Sequence, residues 1–106
     1  LRTAPAAVVC LGLSRAELDI GNADSVAALI EQQQPELVIN AAAYTAVDKA
    51  ESEAAQAMRN NFDGAGHLAA ACATAGARLL HVSTDFVFDG SSSQPYTPQA
   101  PTAPLG

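Results

Sequence analysis

Leu79-Leu80-His81-Val82-Ser83-Thr84-Asp85-Phe86-Val87-Phe88-Asp89-Gly90 carries a short, mostly apolar segment into two hydroxyls and a carboxylate. A buried strand that ends this way opens polar side chains onto a crevice. In open α/β sheets, ligands bind outside the carboxyl ends of the strands. A second exit of this kind lies upstream, where Glu36-Leu37-Val38-Ile39-Asn40 runs into Ala41-Ala42-Ala43-Tyr44-Thr45. Two polar strand exits, one made of small residues, point to a nucleotide cofactor and a substrate lying side by side.

The surrounding chain alternates strand and helix patterns. Ala6 to Leu11 reads as a short buried strand. Asn22 is a helix N-cap candidate, with Val26, Leu29 and Ile30 following at helical spacing. Pro35 ends that helix before the strand Leu37 to Ile39, which completes a strand–helix–strand crossover of the kind that builds parallel sheets. Val47 to Ala75 is helical again, with a break expected near Asn60 and Asn61. Leu68 and Cys72 stand four apart in its second half, and Gly76 is placed to cap it. Arg78 to Ser83 forms the third strand. After Asp89 come Gly90, three serines and prolines at 95, 98, 101 and 104, the composition of a loop.

The expected fold is α/β, a Rossmann-like doubly wound parallel sheet that is incomplete. No Gly-x-Gly-x-x-Gly or Gly-x-x-Gly-x-x-Gly run is present, and Gly12 alone cannot bring backbone against a pyrophosphate. We therefore expect an internal segment of a longer protein, without its first strand and glycine-rich turn and without its C-terminal part. Residues 1–90 are assigned to a partial nucleotide-binding domain and 91–106 to a Pro/Ser-rich loop.

Composition narrows the function. A 49% hydrophobic and 15% charged chain of 106 residues fits one folded domain rather than disorder. Five basic against eleven acidic residues give a net charge of −6, which argues against a nucleic-acid partner. No apolar run approaches the roughly 20 residues of a membrane helix, and the first residues do not read as a secretory leader. Cys10 and Cys72 lack Cys-x-x-Cys or histidine partners. They read as small buried hydrophobes in a reducing compartment, which places the protein in the cytoplasm.

Several residues can carry chemistry. Asp19 precedes the first crossover helix, where a carboxylate meets the adenosine ribose or adenine, or is simply a solvated charge. At Asn40 to Thr45 the alanines leave room for a cofactor backbone, and Tyr44 and Thr45 add polar edges. The Asn40 amide, at the end of a buried strand, needs a partner. Asp48, Lys49, Glu51 and Glu53 read as a solvated first-turn cluster. Asn61 is placed to hydrogen-bond back to strand-end backbone, while His67 and His81 read as structural. Ser83, Thr84 and Asp85 form the chemical centre. A hydroxyl cannot serve as a general acid near neutral pH, so Thr84 needs a stronger partner. Tyr96 is the only later tyrosine and Lys49 the sole lysine. No Gly-x-Ser-x-Gly elbow supports a serine nucleophile.

The strings Val38 to Glu51 and Ser83 to Gly90 resemble the dTDP-4-dehydrorhamnose reductase family of extended short-chain dehydrogenase/reductases. Leu18-Asp19-Ile20, Asn61, Pro95-Tyr96 and Pro104-Leu105-Gly106 fall in register with it. The resemblance implies reduction of the 4-keto group of dTDP-4-dehydro-β-L-rhamnose by NADPH or NADH, giving dTDP-L-rhamnose. It implies adenosine-side contacts from Asp19 and Ile20, and a ribose–pyrophosphate wall from Ala43, Tyr44 and Thr45. Thr84 matches the hydroxyl that tunes the catalytic acid, and Thr84 with Asp85 match substrate contacts. Some relatives bind Mg2+, but no ligand set stands out here and none is assigned. A homodimer is compatible with the resemblance and not required by it.

The family's Tyr-x-x-x-Lys pair is expected just beyond Gly106, and its glycine-rich turn before Leu1. Phe86 stands where the family has tyrosine, and Pro98 where it has glutamate. Two other readings compete. One is a non-catalytic binding subunit resembling the β subunit of methionine adenosyltransferase. The other is a nucleotide-sugar epimerase or dehydratase, although those carry Val-Tyr-Gly where this chain has Val87-Phe88-Asp89-Gly90.

Overall fold

Residues 5–106 are described by a computed structural model; the first four residues of the 1–90 assignment lie outside it. Helix α1 spans Ala23–Gln33. The Asn22 side chain accepts the Ser25 N–H at its N-terminus, satisfying one of the donors that every helix start leaves unpaired. At the other end Gln34 turns left-handed (φ 46°) and its N–H reaches the Ile30 carbonyl. Pro35 disfavours helical backbone at the residue before it, which ends the helix there.

Strand β1, Leu37–Asn40, pairs in parallel with β2, Arg78–His81, in a two-stranded sheet. The register sets Leu37 opposite Arg78 and Asn40 opposite His81, so both strands leave the sheet at the same edge. Between them the chain climbs through α2 (Val47–Ala50), α3 (Ala54–Met58), a π-helical turn (Arg59–Asp63) and α4 (Gly64–Ala75). The break expected near Asn60 and Asn61 is this wide turn, which lets the helical path continue while changing its phase. Gly76 caps α4 in a left-handed conformation (φ 71°) that a glycine adopts without strain.

Helices α1 and α4 pack on each other and on one face of the sheet. Val26 and Ile30 from α1 meet Leu68 and Cys72 from α4, each pair four residues apart and so on one helix stripe. Val38 and Leu79, side by side in the register, close this small core from below. The opposite face carries Leu37, Ile39 and Leu80, all exposed. A parallel sheet in a doubly wound fold has helices on both faces, and these residues supply one of the two layers.

One expected element is not found. Ala6 to Leu11 is not a strand: Val8, Val9, Cys10 and Leu11 are exposed and pair with no other segment among the described residues. A β-ladder needs two partners, and an apolar segment without one stays irregular. The third strand ends at His81 rather than Ser83, and Val82 donates one more bond to the Asn40 carbonyl at 3.0 Å. Beyond a short 3-10 turn at Asp85–Val87 the chain has no helix or strand. Among the described residues, no helix is long and apolar enough to cross a membrane.

Candidate functional site

Parallel pairing in register brings the Asn40 and His81 strand ends together, and the site is built outward from them. Asn40 is buried, yet its amide is satisfied inside the protein. Its Oδ1 accepts the Ala42 N–H at 3.0 Å, and its Nδ2 lies 3.0 Å from His81 Nδ1. The partner that this amide needs is thus supplied from within the protein. Asn40 folds the exit and ties the two strand tips together, while the alanine triplet Ala41 to Ala43 stays exposed.

The next step of the chain is held by Asn61. Its Oδ1 accepts the Tyr44 N–H at 2.7 Å and its Nδ2 donates to the Tyr44 carbonyl at 3.0 Å. A side-chain amide thereby imitates a neighbouring strand. The expected hydrogen bond from Asn61 back to strand-end backbone is present. The Tyr44 phenol donates to Glu53 Oε2 at 2.6 Å, and this acceptor pushes the phenol above its ordinary pKa. The Tyr44 N–H, carbonyl and hydroxyl proton are thus all engaged within the protein.

Asp19 stands where the chain approaches α1. Its Oδ1 accepts the Gly21 N–H at 3.0 Å, and its Oδ2 takes the Arg59 guanidinium at 2.8 Å. The Arg59 hydrogen bond, and after it the Gly21 N–H, hold this carboxyl below the usual carboxylate range. Ile20 beside it packs against Gly64, where a Cβ would sit 2.6 Å from the Ile20 Cγ1. His67 Nδ1 lies 3.0 Å from the Ile20 carbonyl. The wide turn and the start of α4 therefore fix both the Asp19-Ile20 corner and the Tyr44 exit.

The second exit is folded by its own side chains. Thr84 Oγ1 accepts the Phe86 N–H and donates to Asp85 Oδ1, both at 3.2 Å, and caps the 3-10 turn. Further on, Asp89 Oδ1 gathers the Ser91 N–H, the Ser91 hydroxyl and the Tyr96 hydroxyl within 3.0 Å. Those donors, the Ser91 N–H foremost, keep Asp89 acidic. The Tyr96 ring stacks on Phe88 with centroids 4.2 Å apart, an arrangement that holds the loop against the strand exit.

The two strand tips share one edge, and two separate hollows lie near them. A hollow of about 520 Å³ lies between α4 and β2, lined by Phe62, Gly66, His67, Leu79 and His81. Another, of about 380 Å³, is lined by Asp85, Phe86, Phe88, Asp89, Tyr96 and Leu105. Among the described residues, no three His, Cys, Asp or Glu side chains gather as a metal site. The sequence reading missed Arg59, Glu53 and Asp89 as organising groups. Arg59 meets Asp19 across 40 residues, a pairing no local pattern records.

Comparison with known proteins places this geometry. A dTDP-4-dehydrorhamnose reductase from Streptomyces griseus is 50% identical over 99 residues, covering 93% of this chain and 32% of that protein. One from Burkholderia thailandensis is 47% identical over 93 residues, covering 88% and 31%. A dTDP-4-keto-6-deoxy-D-glucose reductase from Streptomyces niveus is 40% identical over 95 residues, covering 90% and 33%. The crystal structure of dTDP-4-dehydrorhamnose reductase from Bacillus anthracis, in complex with NADP, superposes with a TM-score of 0.84 at 37% identity, covering 87% of this chain and 33% of that one. The chain thus spans about a third of the length of these relatives, and its fold is a partial Rossmann-like α/β unit. The profile of the RmlD substrate binding domain matches residues 2–106, and the chain belongs to that family.

Proposed function

We propose that the polypeptide carrying these residues is an NAD(P)H-dependent reductase that converts the 4-keto group of dTDP-4-dehydro-β-L-rhamnose to the alcohol of dTDP-L-rhamnose. The observation that carries this reading is the joint exit of two parallel strands at one edge, in a chain up to half identical to reductases of that name.

The residues fit a dinucleotide in part. The exposed alanine triplet presents backbone without side-chain bulk, and Asp19 and Ile20 form a fixed corner. The glycine-rich pyrophosphate turn is not among these residues. In this reading Asp19 and Ile20 face the adenosine, and Ala43, Tyr44 and Thr45 lie against the ribose and pyrophosphate. The cofactor supplies the hydride. Thr84 and Asp85 orient the sugar. The Thr84 hydroxyl spends its proton on Asp85 and one lone pair on Phe86, which leaves a lone pair for the phenol of a proton-donating tyrosine. Residues 1–90 then serve as part of the NAD(P)-binding domain, and 91–106 lead toward that tyrosine. We place the protein in the cytoplasm, in keeping with two free cysteines.

A second reading follows from the relative named for dTDP-4-keto-6-deoxy-D-glucose: the same chemistry on a keto sugar of different ring configuration. Product analysis by NMR with both sugars decides between them. The 106 residues alone are expected to leave NADPH unoxidised with either sugar, because they hold neither the pyrophosphate turn nor Tyr-x-x-x-Lys. The full-length polypeptide should turn over. If it binds a partner protein and reduces neither sugar, the reductase reading gives way to the binding-subunit one.

A further inference from the structure

We infer that His81 is a positioning residue: its neutral imidazole, acting through the buried Asn40 amide, ties the two strand exits together, and protonation of that imidazole undoes the tie, so that turnover falls on acidification. The tie stands on the geometry of the strand tips, and its effect on turnover rests on the reductase reading above.

Asn40 is only 3% exposed and is held on three sides. Its carbonyl accepts the Val82 N–H, its Oδ1 accepts the Ala42 N–H, and its Nδ2 lies 3.0 Å from His81 Nδ1. The Ala42 N–H can only donate, which fixes the amide oxygen on that side and turns the NH2 toward the imidazole. That NH2 also only donates, so Nδ1 is the bare nitrogen and Nε2 carries the proton. A protonated imidazole has N–H on both nitrogens and accepts nothing. Two donors would then face each other, and the buried Asn40 NH2 would lose its acceptor. Flipping the amide restores a contact to His81 but sets the NH2 against the Ala42 N–H, which frees the turn into the alanine triplet. In either arrangement one exit loses its tie.

The imidazole is open to protons from solvent. Side chains alternate along a strand, so His81 shares the helix-covered face with Leu79, as Asn40 does with Val38. His81 is nonetheless exposed and lines the hollow between α4 and β2. Asp63 and His67 line the same hollow, and Asp63 is its one carboxylate. His67 Nδ1 is engaged at the Ile20 carbonyl, 3.0 Å away. Strand β1 has no charged side chain, Cys72 of α4 is buried in the core, and Arg78 stands on the other face of β2. Ala43 follows Asn40 by three residues and Thr84 follows His81 by three. These are the residues assigned above to nucleotide and sugar, so a change at the tie reaches both ligands.

The test follows the full-length polypeptide from about pH 8 to about pH 5.5, a range over which histidine changes charge. Heteronuclear NMR of the imidazole rings should show His81 with a bare Nδ1 at the upper limit. The Ala42 amide signal should then shift in step with His81 as the pH falls. His81→Asn offers an amide oxygen near the Nδ1 position and does not titrate, so it should hold the Ala42 signal constant. Over the same range kcat/KM for the keto sugar should fall about tenfold further in the unaltered protein than in His81→Asn, the scale of one buried hydrogen bond. His81→Leu, without an acceptor, should show the acid behaviour at every pH. The response should survive in Asp63→Asn and in His67→Asn; its loss in either would assign it to another group and overturn the inference. An Ala42 signal indifferent to His81, or an equal fall in His81→Asn, would also overturn it, and both comparisons hold if the leucine variant does not fold. Coupled signals in a protein that reduces no sugar would remove the reductase reading and leave the tie standing. Reduction without coupling would do the reverse.

Discussion

Gly64 shows how a single residue without a side chain supports the site. Its backbone is ordinary helix (φ −61°), so conformational freedom is not the reason for glycine there. The reason is proximity: a Cβ would lie 2.6 and 2.7 Å from the Ile20 Cγ1 and Cδ1. Gly64→Ala must push Ile20 off the start of α4, and overpacking of this kind costs about 1–3 kcal/mol. We expect a lower denaturant midpoint with an unchanged slope, and weaker nucleotide binding if Ile20 faces the adenosine. Tyr44 gives a second prediction at this scale. Its pKa is raised, chiefly by the hydrogen bond to Glu53, so folding favours the protonated phenol. That contribution is present below the unfolded value near 10 and is lost as pH rises through the higher folded value. Ultraviolet titration should show Tyr44 ionising later than in Glu53→Gln. An unchanged midpoint in that variant would show the contact to be unimportant. Glu53, Asn61 and Arg59 were harder to assign from sequence for one reason: each acts on a residue 9 to 40 positions away. Local spacing identified only Asn61, because a polar residue at a helix break invites a question that a charged residue on a helix does not.

The elements repeat this division. Helix ends were legible because their signals are local. Asn22 caps α1, Pro35 follows its close, and Gly76 turns out of α4. The strands Leu37–Asn40 and Arg78–His81 were legible because apolar runs bounded by polar exits fit a buried parallel pair. Ala6 to Leu11 has a similar composition and no ladder, since a strand is a property of two segments and composition describes one. The loop after β2 shows order where composition suggested none. Asp89, Ser91, Ser92 and Tyr96 close a hydrogen-bonded ring, and the Tyr96 hydroxyl accepts from the Ser92 N–H at 3.1 Å. The Ala103 N–H then returns to the Val87 carbonyl at 2.9 Å. Tyr96→Phe keeps the stack on Phe88 and removes the hydroxyl. It should hasten proteolytic nicking between residues 91 and 103 by several-fold while leaving global stability within about 0.5–1.5 kcal/mol, the worth of one hydrogen bond. Tyr96→Ala, which also loses the stack, should be cut faster still. Equal cutting rates for all three proteins would show that the ring does not order the loop. Because Asp89 is held below its ordinary 3.8, its share of this order is present above that pH and falls away as acid protonates it through the lower folded value.

At the scale of the whole molecule the sheet is the informative object, because its two faces are treated so differently. Val38 and Leu79 are packed under α1 and α4, whereas Ile39 remains 61% exposed and Leu80 50% exposed one step along the same register. An apolar pair side by side on an open face of a parallel sheet is the half of a doubly wound fold that still needs its second helix layer. This chain spans about a third of its relatives, so the same substitution can be asked of two molecules. In the 106-residue chain Ile39→Lys adds a charge to a face open to water, and it should leave solubility unchanged or raise it. In the full-length polypeptide the same lysine would enter a layer of packed side chains without an acidic partner. A buried charge left unpaired costs on the order of 3–5 kcal/mol, so the longer protein should lose most of its stability or fail to accumulate. The contrast is what matters. If Ile39→Lys is tolerated in both, the exposed face is the molecule's own surface and the sheet is covered on one side only; if only the longer protein is damaged, a second layer packs over Ile39 and Leu80.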